Sequence, residues 1–249
     1  MNYFSHLKTV EELDFLQKKY NHTCNNSEID KKFEMLYYYL TNHLQMSGKI
    51  FVASMNMRGK WAEPPEETHQ KINVTSSQAK KSKNRLAFSP MTEIDGGYKG
   101  FYCFENYWQS GKVYEDIDRE KQISWWKELK QPKRRYKNSK GKKVLYALFD
   151  GSDEKMDYVT SRKKIYVPEY YDLIKENDMI TYWKNELLKG TDLVIYDFDG
   201  PRTENGEVTC IELNEKLLIN KINDTQFPFG HGYIVAATIA GINPDIYIQ

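Results

Sequence analysis

Phe101-Tyr-Cys-Phe-Glu-Asn-Tyr-Trp-Gln-Ser-Gly-Lys-Val-Tyr114 is the stretch on which the reading of the whole chain turns. Taken as a helix, it places Phe101, Phe104, Trp108 and Gly111 on one stripe and Glu105, Gln109 and Lys112 on the stripe beside it. A carboxylate, an amide and an ammonium then run along the edge of an aromatic wall. Such a face is costly to bury unless its polar groups serve one another or a ligand. It is therefore the first candidate for a site, although a salt-linked helix edge is the plainer reading of the same residues.

Around this stretch lies a chain of 249 residues, long enough for one large domain that needs neither disulfides nor a structural metal. Lysine plus arginine (36) almost balances aspartate plus glutamate (35), so any affinity for nucleic acid must be local. The 19 tyrosines suit a rigid pocket that stacks a planar ring, and a tyrosine-rich core equally well. Cys24, Cys103 and Cys210 are far apart and form no CxxC pair, which reads as a reducing, intracellular compartment. His6, His22 and His43 share no ligand spacing, and no metal or other cofactor is expected. The first residues lack a signal-peptide pattern, and no run approaches the roughly 20 apolar residues of a spanning helix. The expectation is a cytoplasmic protein, or a nuclear one in a host with a nucleus, without membrane contact.

On the N-terminal side, apolar periodicity predicts helices over about 9–20 and 29–44, so that residues 1–48 form a helical extension packed on a domain spanning 49–249. Lys49–Ser54 reads as a strand, Met55–Trp61 as a turn, Ala62–Thr68 as a proline-containing loop and Ile72–Ser76 as a second strand. The basic run Lys80 to Arg85 reads as a solvated face leading into the compact turn Phe88-Ser89-Pro90; a phosphate contact by Arg85 is the sharper alternative.

On the C-terminal side, Trp125, Trp126 and Leu129 suggest a short helix that ends before Pro132. Lys127 to Lys143 carries nine basic residues against one acidic, Arg134 and Arg135 among them. It reads as a phosphate-tracking segment or as a charged loop. Val144–Phe149 is a strand or a buried helical turn. Lys164–Pro168 and Tyr170–Ile174 lead to a helix around 178–188 that stops at Gly190. Thr191–Asp197 is the clearest strand, followed by a turn through Asp199, Gly200 and Arg202. Glu207–Glu212 is a further strand, Leu213–Ile222 a helix, and Tyr233–Gly241 a small-residue helix suited to the interior.

Polar groups gather at three element ends: the Glu105 stripe, Asp197 to Gly200, and Gly230-His231-Gly232. The last offers free amides and a helix dipole to an anion, or it is only a tight turn with His231 bonded to backbone. Asp197-Phe-Asp-Gly-Pro201 resembles the DxDG nucleophile motif of haloacid-dehalogenase-type phosphatases, which would make Asp197 a nucleophile and Asp199 an acid and base. Pro201 stands where that family has Thr or Val, and the motif comes late in the chain.

A second resemblance spans roughly 72–241. Arg85-Leu-Ala-Phe-Ser-Pro90, Phe104-Glu-Asn-Tyr-Trp-Gln-Ser-Gly-Lys112, Leu193-Val-Ile with Asp197 to Gly200, and the glycine-led helix at 230–241 occur in the order seen in the NADAR superfamily. Glu105, Tyr107, Gln109 and Lys112 match that family's Glu-His-Tyr-Phe-Gln-Ala-x-Lys helix. Asn106 stands in place of His, Trp108 in place of Phe, and no Trp-Gly follows Asp197 or Asp199. The resemblance implies a helix-rich α+β domain with short strands that hydrolyses N-glycosidic bonds, in phosphoribosyl-amino intermediates or in ADP-ribose attached to guanine bases. The partner would then be a nucleotide or a modified or ADP-ribosylated nucleic acid. Glu105 would stabilise an oxocarbenium-like ribose and activate water, and Lys112 would tune that carboxylate or hold a phosphate. Catalytic candidates are thus Glu105, Lys112, Asp197 and Asp199. Trp108 would stack a base; Arg85, Ser89, Gln109, Arg134, Arg135, Gly200, Arg202, Gly230, His231 and Gly232 complete the binding candidates. A non-enzymatic module that binds nucleic acid or ADP-ribose is the alternative.

Overall fold

Two runs of sequence are apolar almost without a break, and they form the centre of the sheet. The computed structural model describes residues 48–249; the expected N-terminal helices, Cys24 and the first three histidines lie outside them. Strand β1 (Ile50–Ser54) and strand β5 (Leu193–Asp197) are buried at every position and pair in parallel, from Ile50 with Leu193 to Ser54 with Asp197. Strand β2 (Gln70–Asn73) lies parallel to the other edge of β5, and β6 (Cys210–Glu212) runs antiparallel beside β1. The order is β2-β5-β1-β6.

Continuous burial follows from both faces being covered. Ile50, Val52, Leu193 and Ile195 face the main core, while Phe51, Ala53, Val194 and Tyr196 face a smaller cluster with Met55 and Ala62. Helix α8 (His231–Ala240) covers the main side, buried from His231 to Ile239. A helix apolar on all sides has no face to offer water. It ends at Gly241, whose φ of 77° is the left-handed conformation a helix stop requires.

The remaining helices are α1 (Lys83–Phe88), α2 (Phe104–Ser110), α3 (Arg119–Glu128), α4 (Tyr158–Ser161), α5 (Val167–Ile174), α6 (Asp178–Leu188) and α7 (Glu215–Asn223). Ser82, Asp118, Asp157, Asn177 and Asn214 cap α1, α3, α4, α6 and α7. Strands β3 (Lys112–Tyr114) and β4 (Val144–Ala147) form a separate antiparallel pair. The architecture is α+β, and no described helix is long and apolar enough to cross a membrane.

Three elements differ from the sequence reading, the first being α1, which occupies Lys83–Phe88 where a solvated run and a turn are expected. The helix expected over 101–114 is only α2, and Lys112 belongs to β3. At Gly111 a Cβ would meet the Phe149 ring at 2.5 Å, so a glycine stops the helix where that ring packs and the chain turns into a strand. Residues 158–174 form one continuous helical run, α4 passing through a π-helical turn (Arg162–Tyr166) into α5. Pro168 has no amide to donate, and the helix widens just before it, with Val167 N–H donating to Arg162 five residues back.

Candidate functional site

The first turn of α2 is tied to the 88–90 turn, because the Glu105 amide donates to the Pro90 carbonyl at 2.8 Å. One helical turn on, Gln109 donates Nε2–H to Glu105 Oε1 at 2.9 Å. Lys112 reaches the same place from β3: it pairs with Ala147, and its carbonyl accepts from the buried Gln122 Nε2 at 2.7 Å. The three expected polar residues therefore do converge, though a helix carries only two of them.

They face a cavity of about 400 Å³ at the carboxyl ends of the parallel strands β2 and β5, where open α/β sheets commonly place ligands. Asp197, Phe198 and Asp199 enter it from the end of β5, Ser89 from the 88–90 turn, and His231 from the start of α8. Arg134 and Arg135 enter from the basic loop. That loop is pinned by the fully buried Asn106, which donates Nδ2–H to Gln131 O at 3.0 Å and accepts Lys133 N–H at 2.8 Å. Arg134 lies over the Phe198 ring at 5.4 Å and donates to Ser76 Oγ.

Glu105 is half-buried and opens onto the cavity. Burial pushes its carboxyl above the ordinary range, opposed by the Gln109 hydrogen bond and by the charges of Lys112, His231 and Arg134. Lys112 moves the other way, lowered by burial and held up by Glu105. No direct ion pair within 4 Å joins the two, so each keeps its charge for a third group. Glu105 Oε2 has no hydrogen-bond partner among the described residues, and the Gln109 acceptor oxygen is likewise buried and unpartnered.

Asp197 is the opposite case. Its Oδ2 accepts Gly232 N–H at 2.8 Å and faces His231 Nδ1 at 3.1 Å, while His231 Nε2 donates to the Val74 carbonyl at 3.0 Å. A carbonyl only accepts, so Nε2 is the donor of that bond. The start of α8 does bind an anion, but that anion is Asp197. Of the two readings of this segment, the tight turn with His231 bonded to backbone is the one observed, and Gly230 and Gly232, also ligand-binding candidates, close on Asp197 instead: a Cβ at Gly230 would stand 2.3 Å from Asp197 Oδ2, and one at Gly232 2.7 Å from Asp197 Cβ. The oxygen engaged in this way belongs to the carboxylate that the DxDG likeness makes a nucleophile.

Other candidates fall away from the cavity. Arg85 donates to the Gln78 carbonyl, and Arg202 ties the 198–202 turn to Asn56, Met55 and Phe198. Gly200 packs against the Ala53 carbonyl, where a Cβ would stand 2.6 Å away. Trp108 does line the cavity, and its ring stacks on Phe149 and abuts Tyr166.

The residues not foreseen come from the π-helical run. Arg162 is 1 % exposed, and its guanidinium donates to the carbonyls of Ile222, Asp224 and Phe227, which fastens the loop before α8. Its Nε has no partner among the described residues, and its Cζ lies 3.9 Å from the centre of the Tyr158 ring. Tyr166 also lines the cavity, its phenol kept protonated first by burial and then by the charge of Glu105. A lone arginine within Ser161-Arg-Lys-Lys164 gives no sign in sequence that it turns inward. Among the described residues no three His, Cys, Asp or Glu side chains gather in a way that could hold a metal ion. Comparison of the chain with protein-family models, with curated proteins and with solved structures gave no match.

Proposed function

We propose that this cavity hydrolyses the N-glycosidic bond of a nucleotide or of a modified or ADP-ribosylated nucleobase. The observation that carries the reading is Glu105, a carboxylate with one oxygen held by Gln109 and the other unpartnered, open to a cavity that also receives Lys112, Arg134, Arg135 and Arg162. Breaking a C1′–N bond builds positive charge on the ribose. A fixed, partly desolvated carboxylate stabilises that charge and takes a proton from the attacking water. Arg134, Arg135 and Lys112 suit the phosphates of such a substrate, while Arg162 is already committed to backbone carbonyls. Further support is the order of segments that resembles the NADAR superfamily, on which reading 49–249 is a NADAR-like catalytic domain.

The test is to incubate the full chain with ADP-ribosylated guanine DNA and with free nucleotides, and to assay released base and ribose product. Glu105→Gln keeps the hydrogen bond from Gln109 and loses turnover by about a thousandfold. Retained turnover in that variant removes Glu105 from the chemistry. The second reading, a non-enzymatic module, draws on the exposed Arg134 and Arg135 that line the cavity and on Lys133 and Lys137, exposed in the same loop. Tight binding of the ADP-ribosylated DNA with no product released selects it.

A further inference from the structure

A second cavity, of about 390 Å³, adjoins the first and shares Trp108, Lys112 and Tyr158 with it as a common wall. Its chemistry is different. The first holds Glu105, Asp197, Asp199 and the arginines, whereas the second is built from β4 and from the aromatic rings of Tyr146 and Phe149. The one carboxylate on its wall, Asp157, caps α4 by accepting Thr160 N–H at 2.7 Å. Val144 and Leu145, 44 % and 50 % exposed, present unusually large apolar surface for a short strand.

We infer that this second cavity receives the leaving group of the reaction, a planar uncharged nitrogen heterocycle, while the sugar and its anionic substituents occupy the first. This rests on the N-glycosidase reading and narrows it to substrates with a charged half and an aromatic half. The scissile bond then lies where the two cavities meet, with Glu105 on the sugar side and Lys112 lining both. As the C1′–N bond breaks, its electron pair goes to the heterocycle nitrogen, which takes a proton from Lys112. Water adds its oxygen to C1′ and gives a proton to Glu105, and proton transfer through solvent from Glu105 to Lys112 restores both groups. One water is consumed, and the free heterocycle and the sugar hydroxyl are released.

The experiment titrates adenine, hypoxanthine and, separately, ribose 5-phosphate into the full chain by calorimetry. At least one purine and the sugar phosphate bind together without competing. Leu145→Asp puts a carboxylate at the apolar rim on an exposed side chain, and it weakens the purine by about tenfold or more with ribose 5-phosphate changed by less than about twofold. Ala147→Leu, which fills the cavity from inside, acts in the same sense; a melting curve shows whether it folds, and Leu145→Asp carries the test if it does not. Unchanged purine affinity in Leu145→Asp, competition between purine and sugar phosphate, or no binding of either purine overturns the proposal. Purine binding that responds to Leu145→Asp in a protein that cleaves no nucleotide or ADP-ribosylated DNA upholds the heterocycle site and overturns the hydrolase reading instead. Cleavage with purine binding indifferent to Leu145→Asp does the reverse.

Discussion

Two carboxylates line the cavity, and the protein treats them differently. Asp197 is 2 % exposed and answered by Gly232 N–H and the His231 ring, with two glycines removed from side-chain bulk so that the start of α8 can close on it. Glu105 is answered on one oxygen only, beside an amide whose own acceptor is unpartnered. A buried charge with all its partners supplied holds a structure together; one left short has something still to bind. Under the proposed function, the contrast gives architecture to Asp197 and chemistry to Glu105.

The sharpest way to break that assignment is to measure turnover and melting in both variants. Glu105→Gln costs about a thousandfold in kcat/KM with no fall in Tm, since the fold no longer carries a partly desolvated carboxylate. Asp197→Ala leaves the Gly232 amide and the His231 ring without their acceptor. It costs about 3 kcal/mol of stability, a fall in Tm on the order of 10 °C. If Asp197→Ala instead melts normally and only turnover falls, the two acids exchange roles.

How much of this could be read from residues alone follows the same line. Glu105 and Gln109 were legible because a spacing of four on a helix is a local property. β1, β5 and α8 were legible because burial on all sides leaves an unbroken apolar run. Lys112 was placed correctly for the wrong reason, because only the packed Phe149 ring reveals why the helix ends at Gly111. Gly230 and Gly232 leave an anion cradle and a tight turn equally open in sequence, because glycine permits close approach without saying of what, and Asp197 arrives from a strand more than thirty residues away. Arg162 was missed altogether, since Pro168 reads as a helix boundary and the π-helical turn that absorbs it has no sequence signature.

Lys112 tests the contrast from the side of Glu105. Its charge is among the forces that hold the Glu105 carboxyl down against burial. Lys112→Met therefore moves the acidic limb of the kcat/KM profile to higher pH, and it lowers the plateau by about a hundredfold if Lys112 is the proton donor. With Lys112 as the donor, the expected wild-type alkaline limb lies below the ordinary lysine range, because burial outweighs the support from Glu105; Lys112→Arg shifts that limb upward. A pH profile unmoved by either substitution separates the two groups. Gly230→Ala tests the side of Asp197, costing about 2 kcal/mol through the close approach to Oδ2. Normal melting with weakened ligand binding would return the glycine turn to the ligand.

The smallest effect belongs to Asp199, which stands between the two cases at the exposed mouth of the cavity. Its carboxyl is pushed up to about 6, first by the protein packed around it and then by the charge of Asp197, with His231 and Arg134 opposing. Between the ordinary value of 3.8 and about 6 the folded chain holds a proton that the unfolded chain has released. Stability from this group is thus full below that window, falls as pH rises through it, and is lost above it. Asp199→Asn melts higher than wild type near neutral pH and level with it below the window. A two-unit shift corresponds to about 2.7 kcal/mol, but solvent at the exposed mouth screens the group and reduces this to about 1 kcal/mol or less. The gain in Tm is then a few degrees, roughly 2–4 °C. A lower Tm for Asp199→Asn near neutral pH would mean that attraction to Arg134 or His231 outweighs burial, which would place this carboxylate with Asp197 as a structural anchor rather than with Glu105.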